Sequence, residues 1–120
     1  MSYLIDTHAH LDFPELYSKL DLIIENAKNQ NVLKIITIST NLNKIGKIIQ
    51  ISNDYDLVYF SVGVHPNEVL KDKDYKNYSL ISDISNNLKC VGIGECGLDY
   101  HFGNEDKEKQ KLSFITQIKV

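Results

Sequence analysis

The sequence predicts an α/β protein of about four parallel β/α units, the first half of a (β/α)8 TIM-type barrel. Four short apolar runs alternate with segments of helical spacing, and the connections between the runs are long enough for parallel pairing. A complete barrel of this type takes roughly 250 residues, whereas the chain has 120. We therefore expect residues 1–120 to form the N-terminal half of a barrel, with the C-terminal half absent.

The predicted strands are apolar runs that we expect to be buried on both faces. Unbroken apolar runs of this kind are typical of parallel sheets covered by helices. The runs cover residues 3–5, 32–39, 57–64 and 90–94.

The segments between the strands place apolar side chains at helical spacing. Pro14 and Glu15 suit the start of the first helix. The first, second and fourth predicted helices carry apolar stripes formed by Leu16, Leu20, Ile23, Ile24 and Ala27; by Ile45, Ile48, Ile49 and Ile51; and by Leu112, Ile115 and Ile118. A weaker third helix is predicted within residues 72–88, and the fourth within residues 104–120.

Composition places the chain among soluble globular domains, since 42% of its residues are hydrophobic and 24% are charged. Its 13 basic residues are all Lys, and 16 acidic residues bring the formal net charge to -3, which argues against a generic binder of polyanions.

No apolar run approaches the ~18 residues of a membrane helix, so we expect a cytoplasmic protein without a membrane partner. Cys90 and Cys96 flank a predicted strand, which predicts two free thiols.

Two histidines follow the first predicted strand, within the sequence Asp-Thr-His-Ala-His-Leu-Asp at residues 6–12. In an extended chain Asp6, His8 and His10 point to the same side. Two imidazoles on one side can share one metal ion, and a nearby carboxylate can orient a ligating ring. The alternative is a pair of histidines at a strand end without a ligand role.

Glu95 lies where the fourth predicted strand ends, beside a glycine that permits an abrupt turn. Active sites of parallel barrels lie at the carboxyl ends of the strands, so Glu95 is expected on the same rim as His8 and His10. A carboxylate there could bridge two divalent ions and leave a bound water as the nucleophile. The alternative is a solvated acid in a loop. By alternation, Cys96 is expected to face the helices and to pack rather than to bind metal.

His65 ends the third predicted strand and precedes Pro66, which favours an extended or turn conformation for His65. Its imidazole is therefore expected over the rim, where it could contact a phosphate or an attacking water. The alternative is a rim histidine held by ordinary hydrogen bonds. His101 is expected to be exposed, and Asp99 and Tyr100 are expected to shape the turn or a substrate pocket.

Three motifs together closely resemble those of the TatD-type metal-dependent deoxyribonucleases. They occupy residues 6–12, 63–66 and 94–100, and the resemblance spans the whole chain. It implies a (β/α)8 barrel that hydrolyses phosphodiester bonds of DNA or another nucleic acid with two divalent cations. By motif position it makes His8 and His10 ligands of the first metal, Glu95 a catalytic carboxylate touching both metals, and His65 a catalytic histidine near the scissile phosphate.

The resemblance also implies later strands, with two further histidines and an aspartate, that this sequence lacks. His8, His10 and Glu95 alone could hold one ion weakly, and Mg, Mn, Zn and Co all suit such ligands. We expect little or no turnover from these 120 residues by themselves, and self-association through open sheet edges. Two other interpretations remain open: another His-x-His metallohydrolase, such as an amidohydrolase or a PHP-type phosphoesterase, and an inactive truncated fragment.

Overall fold

A parallel four-stranded sheet with helices packed against one face forms the frame of the chain. The computed structural model describes residues 2–102 and 106–120, and the strands follow one another across the sheet in the order β1-β2-β3-β4. The strands are β1 (Leu4–Ala9), β2 (Val32–Thr37), β3 (Val58–Val62) and β4 (Cys90–Ile93). The helices are α1 (Pro14–Tyr17), α2 (Leu20–Asn29), α3 (Ile45–Asp54), α4 (Tyr78–Ser85) and α5 (Lys107–Lys119). This is the predicted architecture of parallel β/α units.

β1 is longer than predicted and contains one of the candidate histidines. The apolar run ends at Ile5, but the strand continues to Ala9, so that His8 lies within it and His10 directly follows it. Pairing with β2 extends β1, since Ala9 lies opposite Thr37. The other three strands begin within one residue of the prediction and end one or two residues early, where the chain turns into the loops of the rim.

The prediction that all four strands are buried on both faces is wrong for the two outer strands, and in β2 it fails at Leu33, which is 49% exposed. In β3, Phe60 and Val62 are fully buried. In β1, by contrast, Ile5 is 60% exposed, and Val91 of β4 is 52% exposed. Each of these strands has a single neighbour in the described part of the chain, and their inward side chains line an open depression of about 230 Å³. Burial on both faces requires a second layer, which local sequence does not report.

The prediction for the first helix is correct in position but misses a break. Pro14 begins α1, yet Lys19 has a non-helical backbone that separates α1 from α2. Of the predicted third helix only α4 forms, and the side chain of Asn77 caps it by accepting from the N–H of Leu80. Asn104, in the predicted start of the fourth helix, lies outside the described residues.

α5 buries a different face from the one that the apolar stripe predicts. Leu112, Ile115 and Ile118 are 47%, 48% and 66% exposed. The buried residues of this helix are Gln110, Ser113 and Gln117. The polar face is turned inward because its glutamines bind backbone groups of the rim loops, as described below.

Two apolar clusters fill the space between the sheet and the helices. One joins Phe60 of β3 to Ile48 of α3 and Ile81 of α4. The other joins Val58 to Ile24 of α2 and Ile51 of α3. Residues that alternate along β3 thereby fix the sheet against the helices, and the carboxyl ends of the strands remain accessible at one edge of the molecule.

Both cysteines are free thiols, as predicted. Burial raises the pKa of Cys90 above its ordinary value. Burial, and then the charge of Glu95, raises the pKa of Cys96. Among the helices in the described part of the chain, none combines the length and the apolar character needed to cross a bilayer.

Candidate metal centre

Side chains from the two outer strands meet at the carboxyl end of the sheet. Nε2 of His8 lies 3.5 Å from Oε2 of Glu95, and Nε2 of His10 lies 3.8 Å from the same oxygen. In a flat sheet β1 and β4, three strand spacings apart, would be separated by roughly 14 Å. The curvature of the sheet and the length of these side chains close this gap, so that the carboxylate faces two imidazoles.

The ring of His10 is held by the neighbouring strand. Its Nδ1 lies 3.1 Å from the carbonyl oxygen of Ile38, just after β2. Because a carbonyl oxygen only accepts, Nδ1 carries the proton and Nε2 presents its lone pair toward Glu95. The ring of Phe13 stacks on the imidazole, with centroids 4.6 Å apart and planes inclined by 16°. His10 is therefore fixed in the tautomer and orientation that metal ligation requires.

Glu95 is positioned by backbone contacts at the ends of three strands. Its N–H donates to the carbonyl oxygen of Ser39 at 2.7 Å, and the hydroxyl of Ser61 donates to the carbonyl oxygen of Gly94 at 2.6 Å. The peptide bond between Gly94 and Glu95 is cis. Gly94 has φ +155°, a conformation that residues with a Cβ rarely adopt. The turn that presents Glu95 therefore depends on a glycine and on buried serines after β2 and within β3.

Gly63 allows the ends of β3 and β4 to approach closely. A Cβ at this position would lie 2.6 Å from backbone atoms of Gly94 and 2.6 Å from Oε1 of Gln117. The carbonyl oxygen of Gly63 also accepts a hydrogen bond of 2.8 Å from the hydroxyl of Ser39. The absence of a side chain at residue 63 thus sets the distance at which the Glu95 turn lies from β3.

His65 enters the same rim from β3 in the opposite tautomer. Its Nδ1 accepts a hydrogen bond of 3.1 Å from the backbone N–H of Asn67, within the 3₁₀ turn Pro66–Glu68. The proton of the neutral ring therefore lies on Nε2, which is 3.7 Å from Oε1 of Glu95. His10 offers a lone pair to the centre, whereas His65 offers an N–H donor.

The three histidines and Glu95 line an open cleft of about 390 Å³. Its other lining residues are Phe13, Thr40, Asn67 and Glu68. Two of the eight lining residues are carboxylates, and no lysine is among the lining residues described. Without a cation this surface would repel an anionic group.

A sequence model of the family described as TatD related DNase matches residues 5–120. The chain belongs to the TatD-related DNase family. It is 35% identical over 115 residues to the uncharacterized metal-dependent hydrolase YabD of Bacillus subtilis, covering 96% of this chain and 45% of that protein. It is 33% identical over 129 residues to the human deoxyribonuclease TATDN3, covering 98% of this chain and 47% of that protein.

Two solved structures share the fold. The TatD homologue YJJV of Escherichia coli superposes with a TM-score of 0.82 at 28% identity, over 97% of this chain and 45% of that one. A TatD family hydrolase of Entamoeba histolytica gives a TM-score of 0.79 at 29% identity, over 97% and 44% of the two chains. The chain thus spans less than half the length of these relatives, in agreement with the predicted partial barrel.

The three ligand candidates that TatD resemblance implies fit a divalent ion by geometry. Donor atoms of His8, His10 and Glu95 all lie within 4.8 Å of one another. Ligand atoms about 2.0–2.2 Å from a tetrahedral ion lie roughly 3.4 Å apart. The separations of 3.5 and 3.8 Å from Glu95 need only a small contraction to reach this value. Their ligand roles, and the catalytic roles of Glu95 and His65, stay predictions.

Other predicted residues of this TatD-family chain lie around the centre. The carboxylate of Asp6 accepts from the backbone N–H of His8 at 3.0 Å, and that it orients a ligating ring stays a prediction. His101 is exposed, as predicted. Asp99 accepts a hydrogen bond of 3.0 Å from the side chain of Asn67, which lines the cleft. That Asp99 and Tyr100 shape the turn or a substrate pocket stays a prediction. Cys96 is outside the metal-ligating group.

Four buried polar residues that position the rim were missed by sequence reasoning. Ser39 and Ser61 bind the backbone near Glu95, and Gln110 and Gln117 bind loops after β4 and β3. The two glutamines lie seven residues apart, a spacing that places them on one helical face. The seven-residue spacing of the glutamines could have predicted a buried polar face on α5. The prediction instead followed the apolar stripe, which lies on the opposite face of the helix.

Proposed function

We propose that this chain binds a divalent cation through His8, His10 and Glu95 and takes part in metal-dependent hydrolysis of phosphodiester bonds in DNA or another nucleic acid. The observation that carries the proposal is the convergence of two imidazoles on one carboxylate oxygen, at 3.5 and 3.8 Å. Membership of the TatD-related DNase family, and the name of the human relative as a deoxyribonuclease, support the choice of substrate.

In this proposal His8, His10 and Glu95 would hold the cation. A bound divalent cation supplies positive charge for a phosphate oxygen and lowers the pKa of water. The resemblance to TatD-type nucleases implies two cations, and Glu95 is our candidate for the residue that touches both. Histidine and carboxylate ligands suit Mg, Mn, Zn and Co, with no preference fixed by residue type alone.

His65 is proposed to bind a phosphate oxygen of the substrate. Its Nε2 carries the ring proton because Nδ1 accepts from Asn67. An N–H donor on the rim could bind an anionic oxygen of a phosphate in the cleft. The lining carboxylates Glu68 and Glu95 make the proposed cation necessary, because they would otherwise repel the phosphate.

We propose that residues 1–120 act as the N-terminal half of a TatD-like barrel.

We further propose that this unit self-associates through the edges of β1 and β4. Each edge strand has one partner in the described chain, and beside these edges Ile5 and Val91, 60% and 52% exposed, line the uncovered face of the sheet. Exposed apolar edges favour association. Light scattering should give a mass above that of one chain, and a monodisperse monomer would contradict this part of the proposal.

Metal binding tests the centre directly. Calorimetric titration of the metal-free chain with Co²⁺ or Mn²⁺ should show one site that is lost in His8→Ala and in Glu95→Gln. His101→Ala is the matched control, because His101 is exposed and lies outside the ligating group. Equal affinities of Glu95→Gln and the unsubstituted chain would refute the assignment.

Substrate class is tested with a panel of phosphodiester, amide and lactone substrates in the presence of Mn²⁺. We expect little turnover from this unit, because it supplies three of the ligands that the resemblance implies. Residual hydrolysis of a single-stranded oligonucleotide, lost in Glu95→Gln, would support the proposal. Amide or lactone hydrolysis lost in the same variant would instead assign an amidohydrolase.

A further inference from the structure

A buried glutamine of α5 holds the loop that follows Glu95. Gln110 is 1% exposed, its Oε1 accepts from the N–H of Asp99 at 2.8 Å, and its Nε2 donates to the carbonyl oxygen of Asp99 at 2.8 Å. The orientation of the amide is fixed chemically, since a backbone N–H only donates and a carbonyl only accepts. Nε2 also donates to Asp106 at 3.0 Å. Every hydrogen-bonding group of this buried amide is thus used to hold one residue of the rim and the start of its own helix.

Asp99 connects the loop that follows β4 to the loop that follows β3. One carboxylate oxygen accepts from the side-chain amide of Asn67 at 3.0 Å, and the other accepts from the N–H of His101 at 3.0 Å. Both hydrogen bonds lower the pKa of Asp99 below its usual value, and the bond from the N–H of His101 has the larger effect. Asp99 is therefore an ionised acceptor at neutral pH, and Asn67 is held by a charge-assisted hydrogen bond.

Asn67 in turn determines the state of His65. Its backbone N–H donates to Nδ1 of His65 at 3.1 Å. A nitrogen that accepts a hydrogen bond cannot carry the proton of a neutral ring, so the proton lies on Nε2, facing Glu95. The side chain of Asn67 is tied to Asp99, and its backbone is tied to the imidazole. Hydrogen bonds thus connect Gln110 of α5, through Asp99 and Asn67, to His65 in the cleft.

We propose that Gln110 is a positioning residue that keeps His65 in the Nε2–H tautomer with its donor directed into the cleft. Gln110 does not line the cleft itself, and it acts through the two loops that it and Asp99 join. The consequence for substrate binding rests on the proposed function, since it assumes a phosphate oxygen opposite Nε2. The tautomer and its dependence on Gln110 do not rest on it.

The test is a long-range ¹H–¹⁵N NMR spectrum of the histidine rings at alkaline pH, where the rings are neutral. The unsubstituted chain should show His65 protonated on Nε2 and His10 protonated on Nδ1. In Gln110→Met the ring signals of His65 should shift toward an average of both tautomers, and the amide proton at residue 67 should exchange about tenfold faster. His10 should keep its pattern, because its partner is the carbonyl of Ile38.

Two further variants keep the test decisive. Asn67→Ala removes the side chain that Asp99 holds but leaves the backbone N–H, and it should reproduce the shift of His65 even where Gln110→Met fails to fold. Gln50→Met makes the same chemical change at an exposed residue of α3 and should leave both histidines unchanged.

Protonation of His65 on Nδ1 in the unsubstituted chain would overturn the proposal. An unchanged His65 spectrum in folded Gln110→Met and in Asn67→Ala would overturn it equally. Co²⁺ affinity measured on the same samples separates this result from the proposed function. An Nδ1-protonated His65 in the unsubstituted chain, or a His65 spectrum unchanged in both variants, refutes only the positioning role when Co²⁺ still binds. The expected spectra in a chain that does not bind Co²⁺ refute only the metal centre.

Discussion

Replacing Gly63 with alanine tests the close approach of β3 and β4 on which the position of Glu95 depends. The new Cβ would lie 2.6 Å from backbone atoms of Gly94 and 2.6 Å from Oε1 of Gln117. Contacts under 3.0 Å force something to move, and one of the two neighbours is backbone. Gly63 has no positive φ, so the penalty is steric rather than conformational.

The expected loss has two sources. Overpacking of a filled site costs ~1–3 kcal/mol. Displacing Gln117 disturbs its hydrogen bonds of 2.9 and 3.2 Å to the N–H and carbonyl of Val64. A buried hydrogen bond contributes ~0.5–1.5 kcal/mol. The free energy of unfolding should therefore fall by about 2–4 kcal/mol, a large share of the total stability of a small domain.

Urea denaturation followed by circular dichroism measures this loss, with the midpoint lowered and the slope unchanged. Gly46→Ala is the matched control, because a Cβ at residue 46 meets nothing within 4 Å and lies in α3. It should raise the free energy of unfolding by ~0.4–1 kcal/mol, since alanine restricts the unfolded chain and favours helix. Co²⁺ affinity of the Gly63 variant should fall about tenfold as the Glu95 turn moves.

A Gly63→Ala variant whose free energy of unfolding stays within ~0.5 kcal/mol of the unsubstituted chain would refute this reasoning. It would show that the ends of β3 and β4 separate without cost. Full Co²⁺ affinity in a destabilised variant would refute the second step alone, because the turn that carries Glu95 would then be independent of Gly63.

Three further changes probe the fold around the site. Phe60→Ala should lower the free energy of unfolding by ~3–5 kcal/mol in urea, because Phe60 is fully buried in the larger apolar cluster. Asp72→Ala should cost ~1–3 kcal/mol, because the buried carboxylate accepts from the N–H of Leu42 at 2.6 Å; an unchanged urea midpoint would contradict this. The hydrogen bond to Asp21 raises the pKa of Tyr55 to about 12, so ultraviolet titration should show one late tyrosine that Asp21→Asn returns toward 10.0. Because the folded state then holds this proton more tightly than the unfolded state, stability should fall as pH rises from 10.0 to about 12.

Local pattern predicted most of the secondary structure and the order of the strands. Apolar runs gave the starts of β2, β3 and β4 within one residue, because strand formation there follows residue type and the following turn. The first strand was underestimated, because it continues past the apolar run to Ala9, which pairs with Thr37 of β2. The break between α1 and α2 likewise has no apolar signal, because it depends on the backbone at Lys19.

Motifs identified the family and the four candidate residues His8, His10, His65 and Glu95. Each lies at or after the carboxyl end of a strand, and the carboxyl ends of parallel strands share one edge. The tautomers could not be predicted in this way. They depend on the carbonyl of Ile38 and the N–H of Asn67, and the first of these lies 28 residues away from its histidine.

Side-chain periodicity therefore determined the fold class, and motif resemblance determined the family and the candidate residues at the rim. The tertiary structure alone decided which faces are covered, why α5 buries glutamines instead of its apolar stripe, and how Gly63 sets the position of Glu95. Periodicity describes one element at a time. Burial and hydrogen-bond partners arise between elements that are far apart in the chain, and their geometry is fixed only when the sheet curves and the helices pack.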